Sequence, residues 1–534
     1  MEPFDPQPEP DVADPPVQPR LPRRISILTG PPAPSASPPV PGQWLHDQPY
    51  GASANARYAV AGASRGRRWR RLLLPIVVIA LVAGGTAVVF RDKLFNRDSA
   101  PTYPDVWEPR VADIAQFVQD ERDLQWEHPV FVDFLTEADF VALFDQPTTM
   151  SDEEAATARA YSQLYDAFGL AANYDVTQGA ATLSAVTTLG FYSVEKARVY
   201  VRGDQLTPAV RVVLAHELTH ALQAQHFDLA TGGPNDLELR SVVEADALRV
   251  ADAYRGVMSP ADLADADEGN HLAPDAEENL SDVPWAVVEQ RAAPYVLGPM
   301  LVGDVFAAIG NAGVDRLIIA PPTEEVLLNP WTYSDVAQED VAVNVEAPVG
   351  TRVLDKPQPL SQLDMLMMLD AWLPWSQARG ALKGWAGSGY TSYQRADAVC
   401  FTATVTFDDS ADQFAAAVAA WAKAAGSAAT PITVVNDVTF EACSRGPGAA
   451  APPTPVVTPL QALTLEHEAI RSAGGATPSE VQIRNNQCFV ATMVDDPLLA
   501  PLLFLDTRTV DEQSVFIFET TLAANACSVP PPNF

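Results

Sequence analysis

The sequence predicts a mixed α+β protein in which one membrane-spanning helix precedes a long folded region that ends in a disulfide-bearing part. Three observations support this fold class. The 19-residue run "LLLPIVVIALVAGGTAVVF" has no charged residue and is long enough to cross a bilayer. After it, segments with apolar residues three and four apart, as in helices, alternate with short β-branched and aromatic runs, as in strands. All four cysteines follow residue 399.

The length of the chain indicates its domain organisation, and its net charge limits the classes of partner that it can bind. A chain of 534 residues exceeds the size of one ordinary core, so several domains are expected. The net charge of −34 argues against nucleic acid as a partner, because phosphate binding needs a basic surface. We predict a Pro-rich tail, a membrane anchor, a mixed α+β domain and a C-terminal region, at 1–64, 65–97, 99–390 and 391–534.

The first two regions predict the topology. Residues 1–56 hold 15 of the 47 prolines and show little apolar periodicity, so the tail is predicted to be disordered. Five arginines between residues 65 and 71 precede the span at about 72–90, and the basic residues after it are sparser. The tail is too long for a cleaved signal peptide. The positive-inside rule therefore predicts a single-pass protein of the cell membrane, with the tail in the cytoplasm and the C-terminal region outside.

The folded region begins with alternating helix and strand patterns. "DVWEPRVADIAQFVQDERDL" and "EEAATARAYSQLYDAFGLA" predict helices, and "PVFVDFL" between them predicts a strand. The runs "LGFYSV" and "ARVYVRG" predict the two strands of a hairpin. This ribbon directly precedes the segment in which the chemistry is concentrated.

The segment "RVVLAHELTHALQAQHF" predicts a buried helix that carries His-Glu-x-x-His. Thr207 and Pro208 suit its N-cap and first turn. His216 and His220 would lie one turn apart on the same face, so both imidazoles could bind one zinc ion. Glu217 could face the water at such an ion and act as general base. The alternative is two histidines without a metal and a solvated glutamate.

A catalytic zinc site usually has three protein ligands, so a third one is required. His226 follows His220 by six residues and is rotated off the ligand face. Glu244 is the predicted third ligand, because a glycine-containing loop would let its helix, "LELRSVVEADALRVADAY", fold back against the first. The alternative for Glu244 is an ion pair with Arg240 one turn earlier. Asp246 is the weaker ligand candidate.

The remaining chain predicts further helices and a cysteine-bearing region. "APYVLGPMLVGDVFAAIG" and "LSQLDMLMMLDAWL" are predicted to be buried helices. "CFTATVTFDD" at 400 resembles "CFVATMVDD" at 488, and a second cysteine follows each by roughly 40 residues. We therefore predict a small α+β unit present twice, with disulfides Cys400–Cys443 and Cys488–Cys527 favoured over the two other connectivities. Disulfides suit the predicted exterior location.

The motifs together resemble those of the gluzincins, the His-Glu-x-x-His peptidases whose third ligand is a glutamate. More narrowly, the chain is similar to a group of bacterial membrane-anchored or secreted proteins of that class. The resemblance covers roughly residues 104 to 445. The matching blocks are "GFYS" (190–193), "VYV" (199–201), "HELTHALQAQHF" (216–227), "EADA" (244–247), "PPTEEVLLNPWTY" (321–333) and "GWAGSGY" (384–390).

The resemblance implies a zincin-like domain at 99–390 that holds Zn²⁺. It implies that His216, His220 and Glu244 are the ligands and that Glu217 is the base. One departure concerns the aspartate that thermolysin-type enzymes have four residues after the third ligand, where it supports a metal-binding histidine. Leu248 stands at that place, so another group must orient the imidazole. No block assigns a transition-state stabiliser. Three tyrosines lie in or near matching blocks, and each fits a position in the core equally well: Tyr192, Tyr295 and Tyr333.

Two hypotheses follow for the function. The first is an exterior zinc metallopeptidase that hydrolyses a peptide or protein substrate, with an edge strand of the hairpin beside the motif helix where an extended peptide could lie. The second is a non-catalytic envelope-binding or scaffolding protein that keeps a zinc-binding zincin core. The departures from the family pattern leave room for the second hypothesis.

Overall fold

The computed structural model of the protein describes residues 102–143, 152–194, 196–229, 237–269, 280–334, 340–354, 357–475, 477–505 and 507–530. The predicted tail at 1–64 and the predicted span at 72–90 lie outside these residues. The described part is a mixed α+β structure, as predicted, with 16 α-helices and two sheets.

The helices in the first half surround the motif helix. They are α1 (Ala112–Arg122), α2 (Glu137–Val141), α3 (Asp152–Ala167), α4 (Val176–Thr187), α5 (Pro208–His226), α6 (Leu237–Gly256), α7 (Pro260–Gly269) and α8 (Trp285–Ile309). The later helices are α9 (Asn311–Ile319), α10 (Glu324–Leu328), α11 (Gln362–Asp370), α12 (Trp375–Ala381), α13 (Asp412–Ala425), α14 (Pro459–Gly474), α15 (Glu480–Asp495) and α16 (Val510–Ala526).

The first sheet has three strands and lies against the motif helix. Its strands are β1 (Phe131–Leu135), β2 (Gly190–Ser193) and β3 (Arg198–Arg202). They are arranged in the order β1-β3-β2, with β1 parallel and β2 antiparallel to β3. The predicted hairpin of β2 and β3 is therefore confirmed, and β2 lies at an edge of this sheet.

The second sheet has six strands, all antiparallel to their neighbours. These are β4 (Arg352–Val353), β5 (Gln358–Pro359), β6 (Trp385–Arg395), β7 (Ala398–Phe407), β8 (Ile432–Val434) and β9 (Asp437–Cys443). The order is β4-β6-β7-β9-β8, and β5 also pairs with β6. The predicted boundary at 390/391 falls inside β6. The largest hydrophobic cluster includes buried residues on both sides of that point, from Leu164 to Ala500.

Both predicted disulfides are present. Cys400 and Cys443 are directly opposite each other on the paired strands β7 and β9. Cys488 and Cys527 join the C-terminal helices, with Cys488 on α15 and Cys527 next to the last residue of α16.

The predicted repetition of an α+β unit is wrong. The first cysteine pair lies in a sheet, whereas residues 459–526 form three helices and a 3₁₀ turn with no strand among those described. The segment at 488 belongs to a helix that begins with a capping box, in which Ser479 and Gln482 bond each other's backbone. The nine-residue likeness carried too little periodicity to distinguish a strand from a buried helix face.

One helix of the described part, α8, is long and apolar enough to cross a membrane by length and composition. Of its most apolar window, 61% is buried inside the protein. The core helix of a water-soluble domain has the same properties. Helix α8 is a different segment from the predicted span at 72–90.

Candidate metal centre

The motif helix α5 begins where the sequence predicts. Thr207 is its N-cap, and its hydroxyl accepts a hydrogen bond from the backbone of Val210. Pro208 occupies the first turn, where its missing N–H costs nothing because an N–H at this position has no partner within the helix. The helix packs between the first sheet and α6, so His216 and Glu217 are buried on it.

Helix α6 brings a third candidate ligand to the two histidines. Its packing against α5 places Glu244, which is 3% exposed, beside both imidazoles. Glu244 Oε2 lies 3.3 Å from His216 Nε2 and 3.2 Å from His220 Nε2. The two Nε2 atoms are 3.0 Å apart. No ion pair joins Glu244 to Arg240, both of which the structure describes, so the alternative partner is not used.

This triangle of atoms fits a zinc ion. Ligand atoms bound tetrahedrally at about 2.0–2.1 Å from zinc are about 3.3 Å from one another. The three separations match that spacing, and Glu244 Oε2 has no conventional hydrogen-bond partner. Among the described residues, these three side chains form the one group whose arrangement could hold a metal ion.

Burial and mutual contact shift the pKa values of the cluster. Burial lowers the pKa of His216. Burial also opposes the protonation of His220, but Glu244, Glu217 and Gln223 together outweigh it and raise the pKa of His220 to about 9. For Glu244 burial acts in the opposite sense, and the two histidines hold its pKa far below the ordinary value. The protein alone thus pairs a protonated His220 with an anionic Glu244, and a divalent cation that binds both groups would displace the proton from Nε2 of His220.

Glu217 lies between the triangle and the edge strand β2. Its carboxylate accepts a hydrogen bond from the backbone of Tyr192, and its Oε1 is buried without a partner. Burial raises the pKa of Glu217 to about 8. Gly190 permits the close approach of β2, because a Cβ there would lie 2.7 Å from Val213 Cγ1 and 3.4 Å from Glu217 Cγ. A carboxyl group with a pKa near neutrality suits proton transfer.

A chain of buried polar side chains orients His220. Its Nδ1 lies 3.0 Å from Gln223 Oε1, which fixes the proton on Nδ1 and leaves Nε2 free for a metal. Gln223 Nε2 donates to Asp246 Oδ2 at 2.8 Å, and Asp246 forms ion pairs with Arg122 and Arg249. Gln223 and Asp246 are both fully buried.

The same chain explains two features of the sequence. Asp246 does not join the ligands, because its carboxylate is held by Gln223 and the two arginines. Leu248 belongs to a buried apolar cluster with Val212 and Val213. A carboxylate in its place would be buried among apolar side chains. Gln223 is not among the predicted site residues, although it stands three residues after His220 on the same helix, where the two side chains can meet.

The three tyrosines of the matching blocks lie in different surroundings. Tyr295 is buried beside the cluster, and burial together with the Glu244 carboxylate raises its pKa well above the ordinary value. Tyr192 contacts Glu217 through its backbone, and burial raises the pKa of its phenol to about 12. Tyr333 packs against the largest hydrophobic cluster. Tyr295 is therefore the phenol closest to the candidate chemistry.

The two later matching blocks have structural roles among the described residues. Glu324 of "PPTEEVLLNPWTY" is buried and accepts hydrogen bonds from Ser361, Gln362 and Leu363, at the start of α11. The glycines of "GWAGSGY" let β6 approach another backbone segment: a Cβ at Gly387 would overlap the Val341 carbonyl.

Comparison with known proteins adds no relative: no protein-family model, curated protein or solved structure matches the chain.

Proposed function

We propose that the protein is a zinc-dependent peptidase with a zincin-like fold, anchored in the cell membrane with residues from about 98 onward outside. The observation that carries the proposal is the buried triangle of His216, His220 and Glu244, with the carboxyl group of Glu217 beside it. The two disulfides support the exterior location, because they persist in oxidising compartments.

The residues of the candidate centre have distinct roles in the proposed peptide hydrolysis. Zinc bound to the triangle would polarise the scissile carbonyl and acidify water. Glu217 takes a proton at its unpartnered Oε1 and returns it to the leaving amine. Gln223 and Asp246 hold His220 in the tautomer that leaves Nε2 available.

The edge strand β2 offers a place for the substrate. It pairs with β3 on one side, and no described strand pairs with its other side. An extended peptide that adds to this edge would pass next to Glu217, which already contacts the β2 backbone at Tyr192.

The test uses the full-length protein, purified in a mild detergent without chelators. We expect about one zinc per chain, as in other catalytic zinc sites. Cells expressing the wild type should release a set of new protein N-termini that cells expressing Glu217→Gln do not. Glu325→Gln is the matched control, because this half-buried glutamate lies away from the triangle, and it should behave as the wild type.

Two results would contradict the proposal. A protein that holds no zinc removes the ligand assignment. A protein that binds zinc but releases the same N-termini with and without Glu217 favours the non-catalytic scaffolding alternative instead.

A further inference from the structure

Two arginines lie next to the candidate metal centre on the helices that build it. Arg240 is one turn before Glu244 on α6, and Arg291 is one turn before Tyr295 on α8. Tyr295 interacts electrostatically with both Glu244 and Arg240. Arg291 in turn interacts with Arg240 and Tyr295. Tyr295 also shares a buried cluster with Val212 and Val213 of the motif helix. Each arginine therefore lies one helical turn from a residue at the candidate centre.

Arg291 is buried, and no acidic side chain among the described residues forms an ion pair with it. It is 6% exposed, and its Nη2 donates to Ser184 Oγ at 2.6 Å. Its Nε and Nη1 are buried with no hydrogen-bond partner. Burial and the positive charge of Arg240 both lower the pKa of Arg291. The guanidinium thus has buried donors that no described protein group satisfies.

Arg240 shares this property. Its Nε is also buried without a partner, while the residue as a whole is half-buried. No ion pair joins Arg240 or Arg291 to an acidic side chain in the part of the chain that the structure describes. This is unexpected in a protein with 68 acidic and 34 basic residues, where nearly every buried cation could find a carboxylate.

Such an arrangement favours a bound anion. A buried guanidinium with unused donors is costly unless an acceptor satisfies it. A carboxylate is the matching acceptor, because its two oxygens fit the fork of guanidinium N–H groups. A metal ion held by Glu244 would add a further positive charge nearby and would strengthen this preference.

We propose that Arg240 and Arg291 form a carboxylate-binding subsite of the peptidase site, which holds either the C-terminal carboxylate or an acidic side chain of the substrate. This inference rests on the proposed function, because it names the substrate group that the same site recognises. Arg240 lies one helical turn from Glu244, so the bound carboxylate would lie close to the candidate metal ligands.

The first experiment measures binding without turnover. Hippurate and its uncharged analogue hippuramide are titrated calorimetrically into the zinc-loaded full-length protein. Hippurate should bind at least ~10-fold more tightly than the amide, since one charge-assisted pair contributes that much or more. Arg240→Gln and Arg291→Gln should each remove most of this difference while the zinc content stays constant. Arg352→Gln, which removes an exposed arginine of β4, should not.

Several outcomes overturn the subsite. Equal affinity for hippurate and hippuramide in the wild type does so, as does a hippurate preference that survives both substitutions. If Arg291→Gln does not fold, Arg240→Gln and Arg240→Lys decide the question, because Arg240 is only half-buried. Lysine should restore part of the preference, as a cation without the guanidinium fork.

The second experiment distinguishes the two sources of the carboxylate. A mixture of peptides is offered with free or amidated C-termini, and the cleaved bonds are identified by mass spectrometry. Loss of cleavage on amidation identifies the C-terminal carboxylate. Cleavage that instead depends on a nearby Asp or Glu identifies a side chain. Cleavage with neither preference contradicts the proposed subsite but not the proposed peptidase function. Arginine-dependent hippurate binding without any cleavage contradicts only the peptidase function.

Discussion

At the scale of single residues, the candidate centre depends on a side chain that is not itself a ligand. Gln223 accepts from His220 and donates to Asp246, so it fixes the imidazole ring and its tautomer. Groups that orient metal-binding histidines in this way usually contribute strongly to affinity. Gln223 takes the supporting role that Leu248 cannot.

We therefore predict that Gln223→Ala lowers zinc affinity by about 10–100-fold, measured by competition with a fluorescent chelator. Gln225→Ala is the control on the same helix, because Gln225 contacts His128 instead of the cluster. Unchanged zinc affinity in Gln223→Ala would show that the polar chain does not position His220.

A second prediction at this scale concerns pH. Glu289 is buried on α8, where its Oε2 accepts from the backbone of Leu460, and burial raises its pKa to about 7. The unfolded value is about 4.3, so between these values the folded protein holds a proton that the unfolded chain has released. The contribution of Glu289 to the free energy of unfolding is therefore greatest below the unfolded pKa. It decreases as the pH rises towards 7, by up to about 1.4 kcal/mol per pH unit.

Glu289→Gln removes this ionisation but keeps an acceptor oxygen. Urea unfolding at pH 4.5 and 7.5 measures the effect. We expect the wild type to lose stability relative to the variant as the pH rises between these values. A difference that does not vary with pH would refute the assignment to Glu289.

At the scale of elements, the close packing of α6 against α8 places Glu244. Gly298 on α8 makes this approach possible, because a Cβ there would overlap the Ser241 carbonyl oxygen and would lie 2.9 Å from Ala245 Cβ. Ser241 and Ala245 flank Glu244 on α6. Any displacement of α6 at this crossing therefore moves the third ligand.

We predict that Gly298→Ala destabilises the protein by about 1–3 kcal/mol and weakens zinc binding. Gly303→Ala is the matched control on the same helix, because nothing lies within 4 Å of a Cβ at that position. Alanine is the better helix former, so the control should be neutral or more stable by up to about 1 kcal/mol. Thermal unfolding and zinc titration of both variants provide the comparison. Equal behaviour would contradict the close contact.

At the scale of the whole molecule, the disulfide of the C-terminal helices and the motif helix lie in different hydrophobic clusters. The disulfide between α15 and α16 belongs to a small cluster, which includes Phe489, Val490 and Ala524. The motif helix packs instead with the first sheet. Helix α15 is connected to α6 through the largest cluster, in which Val242 is buried and against which Ala491 packs.

We expect the double substitution Cys488→Ser and Cys527→Ser to lower the free energy of unfolding by about 2–4 kcal/mol, the usual contribution of a disulfide. Zinc content should stay that of the wild type. The measurements are urea unfolding and metal analysis, and a loss of zinc would show that the C-terminal helices support the centre.

The sequence by itself determined the local features of this protein. Helix α5 follows from Thr207, Pro208 and the apolar spacing, and the hairpin of β2 and β3 follows from two β-branched runs. The separation of His216 and His220 by one turn is a property of the helix itself. The two disulfides were also predictable, although the repeat from which they were inferred does not exist.

Only the tertiary structure decided which distant residues meet. Helical propensity does not reveal that Asp246 faces Arg122, which lies more than a hundred residues earlier, or that Arg240 and Arg291 are close together without acidic partners. Side-chain pairs across elements depend on the crossing of helices, which close contacts such as that of Gly298 with Ser241 determine. The candidate ligands could therefore be predicted from local spacing in the sequence, whereas the groups that orient and surround them could not.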